Sequence, residues 1–313
     1  MEILRKEIST LMKTYSKVSD IPSGSCTASP TAGTLVLEGG AWRGIYTQGA
    51  LDVLMEQGIL FDTTIGCSAG AMAAIGYMSG QIGWAPRINL SHRHDPEYCG
   101  RGAMKRDHGI TGFSYLFHEL MEEYPFDRDR FNDPSRRLYV VATDIDSGQP
   151  VFFEKQDRCI FKAIRASATV PYVSRPVVIR GHAYLDGGLS VKIPYAFAKG
   201  LNPRALMVIR TQDRSYRKGE KHLTALDRLL YGSRPELLDS MVRANTLYNE
   251  TIEEMEADEA EGRTFVLTPS RPVGISRFEG DMEKLGQLYE LGRDDMNRRM
   301  PELLAYLRNR EDT

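Results

Sequence analysis

The chain has no long apolar run. None approaches the roughly 18 residues needed to span a bilayer, so no helical membrane span is expected. Cysteine is scarce. Cys26, Cys67, Cys99 and Cys159 are scattered without a C-x-x-C pair, which leaves zinc-ribbon and disulfide-framework readings unsupported. Only two of the six histidines, His92 and His94, lie close together. They sit in a polar loop where no third ligand is indicated, so no metal site is expected. Neither sign of charge dominates: 40 Lys and Arg against 42 Asp and Glu give a net charge of -2. That balance argues against a protein built to hold nucleic acid. There is no internal repeat and no low-complexity tract. The first 30 residues contain no apolar stretch resembling a signal peptide, so a cytoplasmic location is expected.

What is present is 313 residues, enough to bury a sizeable core without staples. Residues 1–33 read as a polar lead-in, with a helix near 3–16 and then a Ser/Gly/Pro loop. From Thr34 short apolar runs alternate with helical patterns. Strands are predicted at Thr34–Glu38, Thr63–Ile65, Leu138–Ala142, Val151–Phe153, Leu206–Ile209 and Thr264–Leu267. Helices are predicted at Ile45–Gln57, Ala69–Met78 and Asp157–Ala168. This alternation predicts an α/β layered fold with a largely parallel sheet. The expected units are 1–33, a core over 34–210, and a mainly helical C-terminal region over 211–313.

Two regions break the pattern. Residues 84–136 carry Arg87, Arg93, Arg101, Lys105 and Arg106 and the aromatics Phe113, Tyr115 and Phe117. They read as a lid or an ordinary crossover insertion. The second region, Leu223–Glu261, is helical, with a seam at Leu238, Met241, Asn245, Tyr248, Ile252 and Met255. The seam packs either on its own domain or in a dimer contact. Glu250–Glu261 holds seven acids and no base and reads as a solvated face.

Three segments carry chemistry. Gly66-Cys67-Ser68-Ala69-Gly70 follows a strand and opens a helix. Such a turn lifts the central side chain out of the sheet in a strained conformation, and small residues on either side avoid backbone clashes. Tyr184-Leu185-Asp186-Gly187-Gly188 ends an apolar run on an acid followed by two glycines. Glu38-Gly39-Gly40-Ala41-Trp42-Arg43-Gly44 fits neither a dinucleotide loop nor a P-loop. It offers backbone N–H groups at a helix start, which suits an oxyanion. A serine also needs a base. His182 and His222 lie in turns away from these motifs, although a Ser68, Asp186, His222 triad has the right chain order.

Together these segments, with the run Ala166–Pro171 leading to the Asp, resemble the patatin-like phospholipases over residues 34–210. The resemblance implies a three-layer α/β/α sandwich and acyl hydrolysis of lipids by a Ser–Asp dyad without histidine. It makes Ser68 the nucleophile and Asp186 its base. The N–H groups of Gly39, Gly40 and Ala41 become the oxyanion hole. Arg43, Gly66, Gly70, Gly187 and Gly188 become supporting residues. It implies no metal or organic cofactor. Two positions depart from the family pattern: Ala41 stands where a third glycine is usual, and Lys192 where an Asn is usual.

The expected substrate is a phospholipid or another lipid ester. The alternatives are a small-acyl esterase or thioesterase, and a low-activity lipid-binding or regulatory protein of the same fold. Region 84–136 and the basic stretch Arg204–Lys221 are candidates for peripheral contact with a membrane surface. Oligomeric state is left open.

Overall fold

The computed structural model of the chain describes residues 13–311. The helix expected over 3–16 falls mainly outside them, and residues 13–16 form turn and irregular structure. Eight strands build the central sheet: β1 Thr31–Leu37, β2 Phe61–Cys67, β3 Arg137–Asp144, β4 Pro150–Glu154, β5 Val177–Ile179, β6 His182–Asp186, β7 Leu206–Ile209 and β8 Phe265–Leu267. The order is β8-β7-β1-β2-β3-β6-β5, with β4 also on β3. The run from β8 to β3 is parallel, whereas β4, β5 and β6 pair antiparallel.

The two sheet faces are both covered. Leu35 and Leu37 of β1 face one helical layer, formed by α1 (Gly44–Glu56), α2 (Ala69–Met78) and the long C-terminal α6 (Met282–Glu311). Val36, between them, faces the other layer with Ile65 of β2, against Tyr248 and Ile252 of α5 (Pro235–Ala260). The period-two alternation of one strand thus feeds two cores, the pattern of a sheet buried on both sides. Helices α3 (Trp84–His92) and α4 (Ile160–Ser167) complete the elements used below. No helix among the described residues is long and apolar enough to cross a membrane.

Antiparallel pairing is what brings the two chemical motifs together. Cys67 of β2 pairs with Val141 of β3, and Asp186 of β6 pairs with Ala142, the next residue along. Strand β4 overlaps both partners through Tyr139–Thr143, so it occupies the other edge of β3. Strands β2 and β6 therefore lie end to end on a single edge of β3. The hairpin that feeds β6 turns through Arg180 and Gly181, both at positive φ, as the Arg-Gly-His sequence suggests.

Two readings need correction. The buried stripe of α5 is Leu237, Met241, Ala244, Tyr248, Ile252 and Met255, so Leu238 and Asn245 of the expected seam are only half-buried. The stripe packs on the chain's own sheet. The acidic run is not simply solvated: Glu254 and Asp258 bind Lys199, Glu256 binds Arg217 and Glu259 binds Arg214. Arg214 and Arg217 of the basic stretch are thereby neutralised, and Arg210 is buried. The case for that stretch as a membrane contact weakens accordingly. In region 84–136, Phe113 is buried and Phe117 packs on Phe161, while Arg93 lies over the Trp42 ring and donates to the Glu279 carbonyl. Its aromatics belong to the core.

A buried carboxyl joins α1 to α6. Asp52 accepts from the Gly83 N–H at 2.9 Å and from the Tyr289 hydroxyl at 2.8 Å. Burial pushes its pKa up to about 7 against those hydrogen bonds. The folded state therefore binds a proton that the unfolded chain releases near pH 4. Stability should fall as pH rises from about 4 to about 7. Asp52→Asn is expected to reduce that slope, measured as the urea midpoint against pH. Asp186, also raised, leaves a residual slope below about pH 6.

Candidate active site

Strand β2 ends at Cys67 and helix α2 begins at Ala69, so Ser68 alone makes the turn. Its backbone sits at φ 51°, ψ -118°, outside the regions a side-chain-bearing residue normally occupies. The flanking glycines permit the turn by close approach. A Cβ on Gly66 would lie 2.6 Å from the Ala71 Cα, and one on Gly70 2.4 Å from the Leu37 carbonyl oxygen. The Ser68 N–H donates to the buried Ser167 hydroxyl of α4 at 2.8 Å. Ser167 lies in the run that precedes Pro171, but nothing in the sequence alone marks it as the brace of the turn.

The Ser68 hydroxyl donates to Asp186 Oδ2 at 2.6 Å. The other carboxylate oxygen accepts from the Gly188 N–H at 2.8 Å. A Cβ on Gly187 would lie 2.4 Å from the Val141 carbonyl oxygen, so the Asp-Gly-Gly turn presses directly on β3. Burial pushes the Asp186 carboxyl up to about 6, while these hydrogen bonds and the charges of Arg277 and Lys192 pull it down. Cys67 is no rival nucleophile. Its thiol donates to the Val191 carbonyl, and burial holds its pKa well above the ordinary value.

The Gly-rich loop after β1 lies beside Ser68 in the same cleft. Its three expected donors are not equivalent. The Gly39 N–H donates to the Lys192 carbonyl at 3.2 Å. Gly40 and Ala41 remain, and among the described residues no protein acceptor takes their N–H groups. Arg43 lines the cleft, and its buried Nε has no partner. Lys192, where the family pattern has Asn, uses its carbonyl on the loop and sends its side chain into the cleft.

Ala41 has φ 49°, a conformation that suits glycine. That costs a residue with a Cβ roughly 1–2 kcal/mol. Glycine's greater freedom in the unfolded chain offsets roughly 0.4–1 kcal/mol. Ala41→Gly is thus expected to stabilise the fold by about 0.5–1 kcal/mol, read from denaturant midpoints, with the loop geometry retained.

The apolar lining of the cleft comes from Trp42, Met72, Val170 and Leu189 and from Tyr98 and Phe113 of region 84–136. Lys218 and Arg277 of the C-terminal region also line it. Neither was marked by a motif. Lys218 stood out only as part of a basic stretch, and Arg277 not at all. No histidine lines the cleft. His222 is 86% exposed beside Glu220, so the Ser68, Asp186, His222 arrangement does not form. The His92 and His94 rings bind different partners, the Tyr124 hydroxyl and the Gly280 carbonyl.

A family model described as patatin-like phospholipase matches residues 35–199, which hold the loop, the serine turn and the Asp-Gly-Gly segment. The chain belongs to the patatin-like phospholipase family. Residues 234–308, which include α5 and most of α6, match a family described as a domain of unknown function (DUF6363). The uncharacterized protein YjjU of Escherichia coli (strain K12) is 28% identical over 265 residues, 83% of this chain and 74% of that protein. The probable lipid hydrolase 463L of Invertebrate iridescent virus 6 is 27% identical over 184 residues, 53% of this chain and 62% of its own length. Among solved structures, VipD from Legionella pneumophila aligns with a TM-score of 0.45 at 12% identity, covering 90% of this chain and 68% of that one.

Proposed function

We propose that this patatin-like protein is a serine acyl hydrolase of lipid esters that works through a Ser68–Asp186 dyad. The observation that carries the reading is the 2.6 Å hydrogen bond from a strained turn serine to a half-buried, proton-avid carboxylate. Ser68 Oγ attacks the acyl carbonyl as its proton passes to Asp186 Oδ2. The oxygen of the tetrahedral intermediate is held by the Gly40 and Ala41 N–H groups, with Arg43 behind them. Gly39 is withdrawn as a donor, because its N–H is already engaged. Asp186 returns the proton to the departing alcohol. Water then adds to the acyl-enzyme as its proton passes to Asp186, which hands it to Ser68 Oγ as the Oγ–acyl bond breaks and the free acid leaves.

The apolar residues lining the cleft favour a long acyl chain over a small-acyl thioester or ester. The viral relative's description as a probable lipid hydrolase agrees. The intact dyad favours turnover over a purely lipid-binding or regulatory role. We assign catalysis to residues 34–210, with the cleft completed by Lys218 and Arg277. Four free cysteines suit a reducing compartment, and we place the activity in the cytoplasm, with peripheral access to lipid.

The test is intact-mass labelling with a fluorophosphonate probe. One adduct on the wild-type protein and none on Ser68→Ala is expected. No adduct on folded wild-type protein would overturn the hydrolase in favour of a binding role.

A further inference from the structure

One helix is apolar on the side that faces water. The short helix Ala225–Tyr231 carries Leu226, Leu229 and Leu230. That i, i+3, i+4 spacing puts all three on one face. They are 48%, 80% and 48% exposed, and the residue that the helix buries is an acid, Asp227. A helix packed on its own core shows the reverse pattern. Single exposed leucines are ordinary, but three on one short helix form a patch. The helix falls between residues 35–199 and 234–308, outside both family models.

Polar bonds, not the leucines, hold this helix in place. Asp227 accepts from the Thr224 N–H at 2.7 Å, and the Thr224 hydroxyl accepts from the Asp227 N–H at 3.1 Å, a reciprocal cap. The Tyr172 hydroxyl donates to Asp227, and the Tyr172 N–H donates to the Tyr231 hydroxyl at 3.3 Å. The two tyrosine rings lie 5.9 Å apart. A helix this short is marginal by itself, so these contacts fix where it stands. It stands beside the cleft. Tyr172 follows Val170 and Pro171, both on the cleft lining, and Lys218, also on the lining, comes shortly before the Thr224 cap. Phe278, 50% exposed, is a further exposed apolar side chain of the lining.

The charges around the patch are basic. Arg228 of the same helix and Arg277 of the cleft lining are both exposed, and among the described residues no carboxylate forms an ion pair with either. We propose that Leu226, Leu229 and Leu230 insert into an anionic lipid surface, with Arg228 at the headgroups, and that this contact seats the cleft on the bilayer. Bases beside a few apolar side chains are what an interfacial helix uses at the boundary between headgroups and acyl chains. A second protein copy fits less well, because three leucines supply only part of the roughly 800 Å² per partner that a stable interface buries. The contact thus moves from the basic stretch Arg204–Lys221, whose Arg214 and Arg217 are neutralised, to the helix that follows it. The choice of lipid as the occupant rests on the lipid-hydrolase reading.

The experiment measures cosedimentation of the full chain with vesicles of phosphatidylcholine, pure or mixed with phosphatidylglycerol. Ser68→Ala serves as the parent, so that no lipid is consumed. Adding Leu229→Gln is expected to weaken partition by ~10-fold or more, the scale for burying one leucine side chain. Arg228→Gln should weaken it about 5-fold on the anionic vesicles and leave it unchanged on the neutral ones. Leu304→Gln, at an exposed leucine of α6 outside the cleft lining, should partition like the parent. With Ser68 intact, Leu229→Gln should keep the wild-type kcat/KM on a monomeric water-soluble ester and lose ~10-fold on an ester presented in anionic vesicles. Partition equal in Leu229→Gln and its parent overturns the proposal, as does no partition at all. An equal loss in Leu304→Gln means unspecific adhesion and also overturns it. A dimer that Leu229→Gln dissolves, without vesicle binding, makes the occupant a second copy and overturns it too. In each of these cases fluorophosphonate labelling of Ser68 leaves the hydrolase standing. Vesicle binding that depends on Leu229, by a protein whose Ser68 is never labelled, removes the hydrolase and keeps the docking helix.

Discussion

Asp186→Asn is expected to lower kcat/KM by about 10³-fold or more while the protein stays folded. Asparagine fills nearly the same volume and can still accept from the Gly188 N–H, so β6 keeps its pairing with β3. What it cannot do is take the Ser68 proton. A positioned base contributes roughly 10²–10⁴-fold, and residues that act as a unit lose most of their joint effect when either is removed. Ser68→Ala should therefore cost a similar factor, and the double variant little more. The pH dependence has a defined sign. In the proposed dyad the working form is the carboxylate, and burial raises the Asp186 pKa to about 6. Wild-type kcat/KM should rise with pH through about 6 and then level off. Each of the six histidines should be replaceable by Gln without loss of that profile, since none lines the cleft. A histidine variant as inactive as Asp186→Asn would defeat the dyad.

Gly292→Ala should be among the most destabilising single-methyl changes in the chain, although alanine is the better helix former by roughly 1 kcal/mol. Helices α1 and α6 touch through two glycines. A Cβ on Gly292 would lie 2.1 Å from the Tyr46 carbonyl oxygen, and one on Gly49 2.2 Å from the Tyr289 carbonyl oxygen. Both obstacles are helical backbone, so no side-chain rotation relieves them and the helices must move apart. That movement also stretches the buried bonds from Tyr46 to Asp295 and from Tyr289 to Asp52. Overpacking typically costs 1–3 kcal/mol, and this contact calls for about 3 kcal/mol or more. The check is a lowered urea midpoint at unchanged slope for Gly292→Ala and Gly49→Ala. A midpoint at or above wild type would mean that helix propensity outweighs the contact.

The serine turn, the Asp-Gly-Gly segment and the Gly-rich loop were legible because each is local. The chemistry expected of them rests on residue types within five or six positions. Helix α2 spans Ala69–Met78 and strand β7 Leu206–Ile209, as the apolar runs predict, because period and punctuation act over the same short range. Errors begin where a choice depends on a partner far along the chain. The buried stripe of α5 is rotated by one residue at two of its turns, because Leu237 and Leu238 are equally apolar and only the sheet beneath decides between them. The acidic and basic runs each read as solvated or membrane-facing alone, yet they neutralise one another in the fold. Gly39 looked like an oxyanion donor until the Lys192 carbonyl, more than 150 residues away, was found to hold its N–H.

The sequence by itself marked Ser68, Asp186 and the Gly-rich loop as candidates and set the alternation of elements that places them at strand ends. The tertiary structure alone decided that β2 and β6 share one edge of β3, so that Ser68 meets Asp186 at hydrogen-bond distance. It alone brought Lys218 and Arg277 to the same cleft. The reason is physical: propensity and periodicity are properties of neighbouring residues. Strand register and the charge of a cleft are set by pairing and desolvation between segments that meet only when the chain folds.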